Sequence, residues 1–303
     1  MLRRTRIFVI IFFIFSVAVW GGYRLYERAH TDTTSPVISM DADSITVSVE
    51  GGDAAILEGV TAEDAKDGDL TDKIFIESRS NFVEKGRFSV TYAVADSDNH
   101  VSKASREVIY SDYKSPNFEL SQPLKFQTSK ESQQDLNIAA NLSAHDVLDG
   151  NISNKIRISG DYTISSYNPG DYPMEFIVMN SMGDTVHLPV TVTIYSASEE
   201  MALPKIVMKR YLVNTTVGVG VDVVGMIQEI SYRGLTYTRE EDGNFYSGEY
   251  DRDGLPIMFT SDSLFIETNV DFNTPGVYEV KINYTDETEG ASNYTYMYIV
   301  VNE

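Results

Sequence analysis

The chain has 303 residues, and its 45 Asp and Glu against 24 Lys and Arg give a formal net charge of −21. That balance excludes nucleic acid as a partner, because such partners need a basic face. The absence of cysteine removes disulfides, thiol nucleophiles and zinc–thiolate sites.

Residues 1–6 carry Arg3, Arg4 and Arg6 and read as a cytoplasmic tail. Ile7 to Trp20 is an apolar run that Gly21, Gly22 and Tyr23 extend. Residues 7–23 therefore read as a transmembrane signal-anchor, reaching about 25 Å as a helix. The denser positive cluster lies before the run, which keeps the N-terminus in the cytoplasm and places everything after Tyr23 outside the cell. The membrane is thus an expected partner, crossed once. A cleaved signal peptide is the competing reading, but the small residues here are followed by bulky Trp20 where cleavage needs a small side chain.

Residues 24–35 are polar and read as a linker, followed by three units at 36–113, 114–198 and 199–303. The boundaries follow from a duplication. Asp67-Gly-Asp-Leu-Thr-Asp-Lys-Ile74 returns 82 positions later as Asp149-Gly-Asn-Ile-Ser-Asn-Lys-Ile156, each copy with an Asp three residues upstream (Asp64, Asp146). Each unit opens on a proline before a short apolar run, at Pro36, Pro116 and Pro204, and a proline is tolerated at the first position of a strand. Each also carries a strand of period two after a glycine: Phe88, Val90, Tyr92 and Val94 in the first; Tyr172, Met174, Phe176 and Val178 in the second; Tyr278, Val280, Ile282 and Tyr284 in the third. Ten residues past each glycine comes Asp96, Asn180 or Asp286, the start of a polar turn. Alternating strands separated by turn residues predict an all-β protein of tandem immunoglobulin-like β-sandwiches behind one N-terminal transmembrane helix. Neighbours in such an array share small interfaces, so each unit is expected to melt by itself. The third unit diverges: it lacks the octapeptide and inserts Tyr237–Tyr250, in which Asp242-Gly243 is a hairpin turn signal.

The stretches Ala62 through Ile74 and Gly86 through Ser97 resemble the bacterial immunoglobulin-like domain first noted in certain pesticidal crystal proteins and common in tandem on bacterial surface proteins. The resemblance covers residues 36–110, extends less closely over 116–195, where Asn151, Ser153 and Asn154 depart from it, and reaches only the strand end of 204–303. It implies a β-sandwich spacer or adhesion module, generally without catalysis, and brings no catalytic residues. A cysteine-free exported array agrees with a bacterial source.

Two groups of residues are candidate sites. Asp64, Asp67, Asp69 and Asp72 place four carboxylates in nine residues, which suits calcium, a cation that takes six to eight hard oxygens. The same residues are ordinary turn formers, because Asp side chains accept backbone N–H bonds around a tight Asp-Gly turn. No other cofactor is expected. Asp251-Arg-Asp-Gly254 is a lesser candidate ion loop. Tyr237, Phe245, Tyr246 and Tyr250 are interleaved with Glu240, Glu241, Asp242 and Glu249, an arrangement that can stack on sugar rings and bond their hydroxyls, or that simply buries half its rings in a sandwich. The four histidines are scattered, and no metalloprotease, nucleophile-elbow or phosphate-loop motif is present, so an enzyme is not expected. The sequence therefore predicts a non-catalytic surface protein that binds an unknown protein or polysaccharide. A structural spacer or scaffold subunit of an envelope complex, and a polysaccharide-binding accessory protein, are the alternatives.

Overall fold

The computed structural model describes residues 2–30, 33–128, 138–160, 168–196 and 202–303. They form two compact units, residues 1–113 and 114–303.

In the first unit, helix α1 (Leu2–His30) contains the expected apolar segment. Thr5–Tyr26 is long and apolar enough to cross a membrane by length and composition. The helix continues through residues 24–30, which the sequence suggests are linker, because Arg, Leu, Tyr and Glu keep reasonable helix propensity there.

A sandwich follows, built from β1 (Val37–Met40), β2 (Ser44–Val47), β3 (Val60–Asp64), β4 (Gly68–Asp69), β5 (Phe75–Arg79), β6 (Arg87–Ala95) and β7 (Val101–Tyr110). One sheet has the order β1-β3-β4 and the other β2-β7-β6-β5. Only the β2–β7 pair in these sheets is parallel. Phe88, Val90, Tyr92 and Val94 all point into the core, as their period requires, and meet Val108, Ala62, Leu70 and Ile74 in the buried set. Each large apolar side chain buried this way contributes about 1.5–3 kcal/mol. The short helix α2 (Gly52–Ile56) bridges the sheets and drives Ile56 into the same core.

The second unit begins with a copy of this plan. Its strands are β8 (Asn117–Leu120), β9 (Lys125–Gln127), β10 (Leu142–Asp146), β11 (Gly150–Asn151), β12 (Arg157–Ile158), β13 (Gly170–Met179) and β14 (Thr185–Tyr195). They pair as β11-β10-β8 and β12-β13-β14-β9, with β9 parallel to β14. A third pair of sheets follows from β15 (Lys205–Met208), β16 (Leu212–Thr216), β17 (Ile227–Tyr232), β18 (Leu235–Arg239), β19 (Phe245–Tyr250), β20 (Pro256–Phe259), β21 (Leu264–Thr268), β22 (Gly276–Thr285) and β23 (Ser292–Asn302). Their orders are β15-β17-β18-β19-β20 and β16-β23-β22-β21, with β16 parallel to β23. All three strands expected behind Pro36, Pro116 and Pro204 start directly after the proline.

The sandwich expected at 114–198 and the one expected at 199–303 lie in one compact unit. Their buried residues form one continuous apolar cluster. Tyr298 on β23 is buried between them; its hydroxyl accepts the Thr191 N–H at 2.8 Å and lies 3.2 Å from the Thr191 carbonyl, to which it donates. Beside it, Asp171 on β13 accepts hydrogen bonds from the hydroxyls of Tyr294 (3.0 Å), Tyr296 (2.9 Å) and Thr193 (2.7 Å). Burial raises the Tyr298 and Tyr296 phenols well above their ordinary range, and the Asp171 carboxylate adds to the effect at Tyr296.

Candidate functional site

The duplicated octapeptide builds the same loop twice. Asp64 Oδ1 accepts the backbone N–H groups of Lys66 and Asp67, both at 2.9 Å, and Asp146 Oδ1 accepts those of Leu148 and Asp149 at the same distances. Gly68 and Gly150 follow with φ of +70° and +69°, the left-handed conformation that favours glycine. Asp67 Oδ2 then takes the Ser97 N–H at 2.7 Å, tying the loop to the turn after β6, as Asp149 Oδ2 takes the Ser181 N–H at 2.7 Å after β13. Asp69 Oδ1 accepts the Thr71 N–H at 2.9 Å, and its bonds to Thr71, side chain first and backbone second, hold its carboxyl below the ordinary value. Asp72 lies exposed in the 3₁₀ turn Thr71–Lys73.

Three of the four candidate calcium ligands thus bond to backbone N–H groups. Among the described residues, no three His, Asp or Glu side chains converge to hold a metal ion. One acceptor is left over: Asp64 Oδ2 is buried without a hydrogen-bond partner. Asp251, in the lesser candidate loop, accepts the N–H groups of Asp253 and Leu255 (2.9 and 2.8 Å) in the turn that joins β19 to β20.

The four aromatic candidates separate into two pairs. Phe245 is 0% exposed and stacks on Phe259, with ring centroids 4.8 Å apart. Tyr237 meets the same Phe259 edge-on at 5.2 Å. Both belong to the core of the third sandwich. Tyr246 and Tyr250 instead line an open groove of about 540 Å³ with Glu240, Glu241, Asp242, Gly248, Glu249 and Pro256. Tyr250 is 69% exposed. The Tyr246 hydroxyl donates to Asp242 Oδ2 at 2.7 Å, a bond that fixes the ring, raises the phenol and lowers the carboxyl. The Asp242-Gly243 turn that carries this wall is the expected hairpin, closed by Glu240 and Asn244 at 2.9 Å, with Gly243 at φ +88°. No basic side chain lines the groove among the described residues, and neighbouring Arg239 bonds Asp222 at 3.2 Å. The arrangement offers two rings and four carboxylates to a ligand, and no nucleophile–base pair is among its lining residues.

Sequence reasoning missed two polar assemblies. Arg106 is 2% exposed in the core of the first sandwich, and Asp171 with three hydroxyls joins the second and third. The signal for Arg106 was its inward register on β7, two residues before Val108. For the other it was the run Tyr294, Tyr296, Tyr298 at period two.

The model of the family described as bacterial surface protein, Ig-like domain, matches residues 42–109. No curated protein matches the chain. Similar solved structures include the lipoprotein BT2262 from Bacteroides thetaiotaomicron, at 13% identity over 60% of this chain and 98% of that one, with a TM-score of 0.22. The CBM51-2 and INT domains of Clostridium perfringens ZmpB, solved in complex with GlcNAc, match at 15% identity over 88% of this chain and 42% of that one, TM-score 0.21. The Drosophila N-cadherin EC1-4 structure matches at 11% identity over 90% and 68%, TM-score 0.22. These distant likenesses carry no argument about what this chain binds. Residues 42–109, which hold the first copy of the duplicated loop, are a bacterial surface Ig-like domain, and that family fits a surface role for the chain.

Proposed function

We propose that this is a non-catalytic bacterial surface protein, held in the membrane by α1 with its sandwiches outside the cell, which binds a ligand through the groove on the third sandwich. The observation that carries the reading is the groove itself, where exposed Tyr250 and oriented Tyr246 stand among Glu240, Glu241, Asp242 and Glu249. Aromatic faces beside fixed hydroxyl acceptors suit a polysaccharide, whose rings stack and whose hydroxyls donate. Arg3, Arg4 and Arg6 before the apolar segment support the outward orientation.

Adherence of cells that display the native chain to immobilised polysaccharides tests the binding claim. Tyr250→Ala together with Tyr246→Ala is expected to reduce adherence at least tenfold at unchanged surface level. Equal adherence by native and variant cells would remove the groove from the mechanism. Protease added to intact cells is expected to leave only a short N-terminal fragment in the membrane, and protection of the whole chain would overturn the orientation.

The continuous core and the Tyr298–Thr191 junction favour a second reading, a stiff spacer or scaffold subunit of an envelope complex. In that case deletion of the groove hairpin has no effect on adherence, whereas loosening the junction does.

A further inference from the structure

The groove on the third sandwich has a wall that accepts hydrogen bonds and has little to donate. The Tyr246 hydroxyl carries one hydrogen and gives it to Asp242 Oδ2 at 2.7 Å, so toward the groove it can only accept. Asp242 is held further by Asn244, whose backbone N–H meets Oδ1 and whose amide meets Oδ2, both at 3.0 Å. These bonds, the one from Tyr246 first, keep its carboxyl below the ordinary value, so it stands as an anion. Glu240, Glu241 and Glu249 are exposed, and an ionised carboxylate offers lone pairs and no hydrogen. Pro256 lacks an N–H. Among the described side chains that line the groove, the Tyr250 hydroxyl alone keeps a hydrogen to give. Arg239, which precedes the acidic run, is turned to Asp222 at 3.2 Å.

We infer that the groove selects a polysaccharide that carries protonated primary amines, an amino-sugar polymer stripped of its N-acetyl groups. The inference rests on the reading of the groove as a glycan site and names the glycan. A neutral sugar brings hydroxyls that both donate and accept, and its acceptors find little to bond among these side chains. An ammonium group brings three donors and no acceptor, which is the complement of a wall of lone pairs. Its bonds to carboxylates are charge-assisted and about twice as strong as neutral ones. A glycan that carries carboxylates, sulfates or phosphates meets like charge on the wall and is turned away. The groove is open, with a volume of about 540 Å³, and Tyr250 is 69% exposed. A sugar ring can therefore lie on Tyr250 while its amine reaches the glutamates, with Tyr246, fixed by Asp242, as the second ring. A lysine-rich peptide shares the amine but brings no sugar ring to lay on Tyr250.

The test is isothermal titration of the full chain in a non-ionic detergent with tetramers of glucosamine, N-acetylglucosamine, a uronic acid and lysine. The glucosamine tetramer is expected to bind about tenfold more tightly than its N-acetylated form, the gain that two or three exposed ion pairs supply together. The uronic acid tetramer is expected not to bind. Glu240→Gln with Glu249→Gln should bring the two amino-sugar tetramers to within about twofold of each other, since the ion pairs are gone. Tyr246→Ala with Tyr250→Ala should weaken both. Equal binding of the two amino-sugar tetramers, lost from both in the tyrosine variant, would overturn the amine and keep the glycan site. Tetralysine bound as tightly as the glucosamine tetramer would show a surface that answers to charge alone and overturn the inference. Binding of neither amino-sugar tetramer would remove the glycan reading and the inference together.

Discussion

The Nε of Arg106 lies 3.2 Å from the Tyr92 hydroxyl, and both side chains converge on the same carbonyl, that of Ile56. Arg106 Nη2 donates to Ile56 O at 2.6 Å and to Glu58 O at 2.8 Å, and the Tyr92 hydroxyl donates to Ile56 O at 2.7 Å. This pair satisfies the carbonyls at the end of α2, which would otherwise be buried unpaired. Arg106→Ala is therefore expected to destabilise the first sandwich by about 1–3 kcal/mol for each buried carbonyl it leaves short of a donor. Tyr92→Phe, which leaves Arg106 with its two backbone partners, should cost about 1–2 kcal/mol. Urea unfolding followed by far-UV circular dichroism measures both, and equal effects would show that the network does not act through Arg106.

Gly68 and Gly150 have open space where a Cβ would lie, so only the backbone opposes substitution. Gly68→Val and Gly150→Val should each cost about 1–3 kcal/mol, whereas Asn at either position should recover most of the loss because it tolerates the left-handed region. An Asn variant as unstable as the Val variant would mean that the loop needs more than a positive φ.

Residues 114–303 should unfold in one transition. Tyr298→Phe removes the bridge to Thr191 and leaves the buried Thr191 N–H without an acceptor, so it should lower the melting of the second and third sandwiches together. Exchange protection of β13 and of β22, read separately, decides the point. Loss confined to β22 would restore independent melting.

Asp149 titrates below its ordinary value of 3.8: burial acts to raise it, but bonds from Lys155 and Ser181 prevail. A depressed carboxyl stabilises the fold above its unfolded value and loses that contribution as the pH falls through the folded one. Between pH 4 and pH 2 the native chain should therefore lose more stability than Asp149→Asn, measured by the thermal midpoint of residues 114–303. A steeper decline in the variant would reverse the assignment.

How much of this was legible in the sequence depended on range. Phe88 to Val94 and the Asp-Gly turns follow from neighbours a few residues apart, and both appear where their period and turn chemistry put them. Phe245 and Tyr250 belong to one strand and look alike in sequence. One stacks in the core and the other lines the groove, because they stand an odd number of positions apart on a strand whose side chains alternate between its two faces. The inward period of Arg106 is local, but the carbonyl and hydroxyl partners that make its burial tolerable are not. The Asp171 junction joins residues more than 120 positions apart, beyond any local pattern.

In each sandwich an early strand runs parallel to the last one: β2 beside β7, β9 beside β14, β16 beside β23. A pull that enters at the N-terminal side of such a domain and leaves at its C-terminal side drags these two strands lengthwise past each other. The ladder is then loaded in shear, and its hydrogen bonds must rupture together instead of opening one after another from an end. A chain tethered at α1 and tugged at its far end would thus meet a clutch in every domain, built from the same strand order three times.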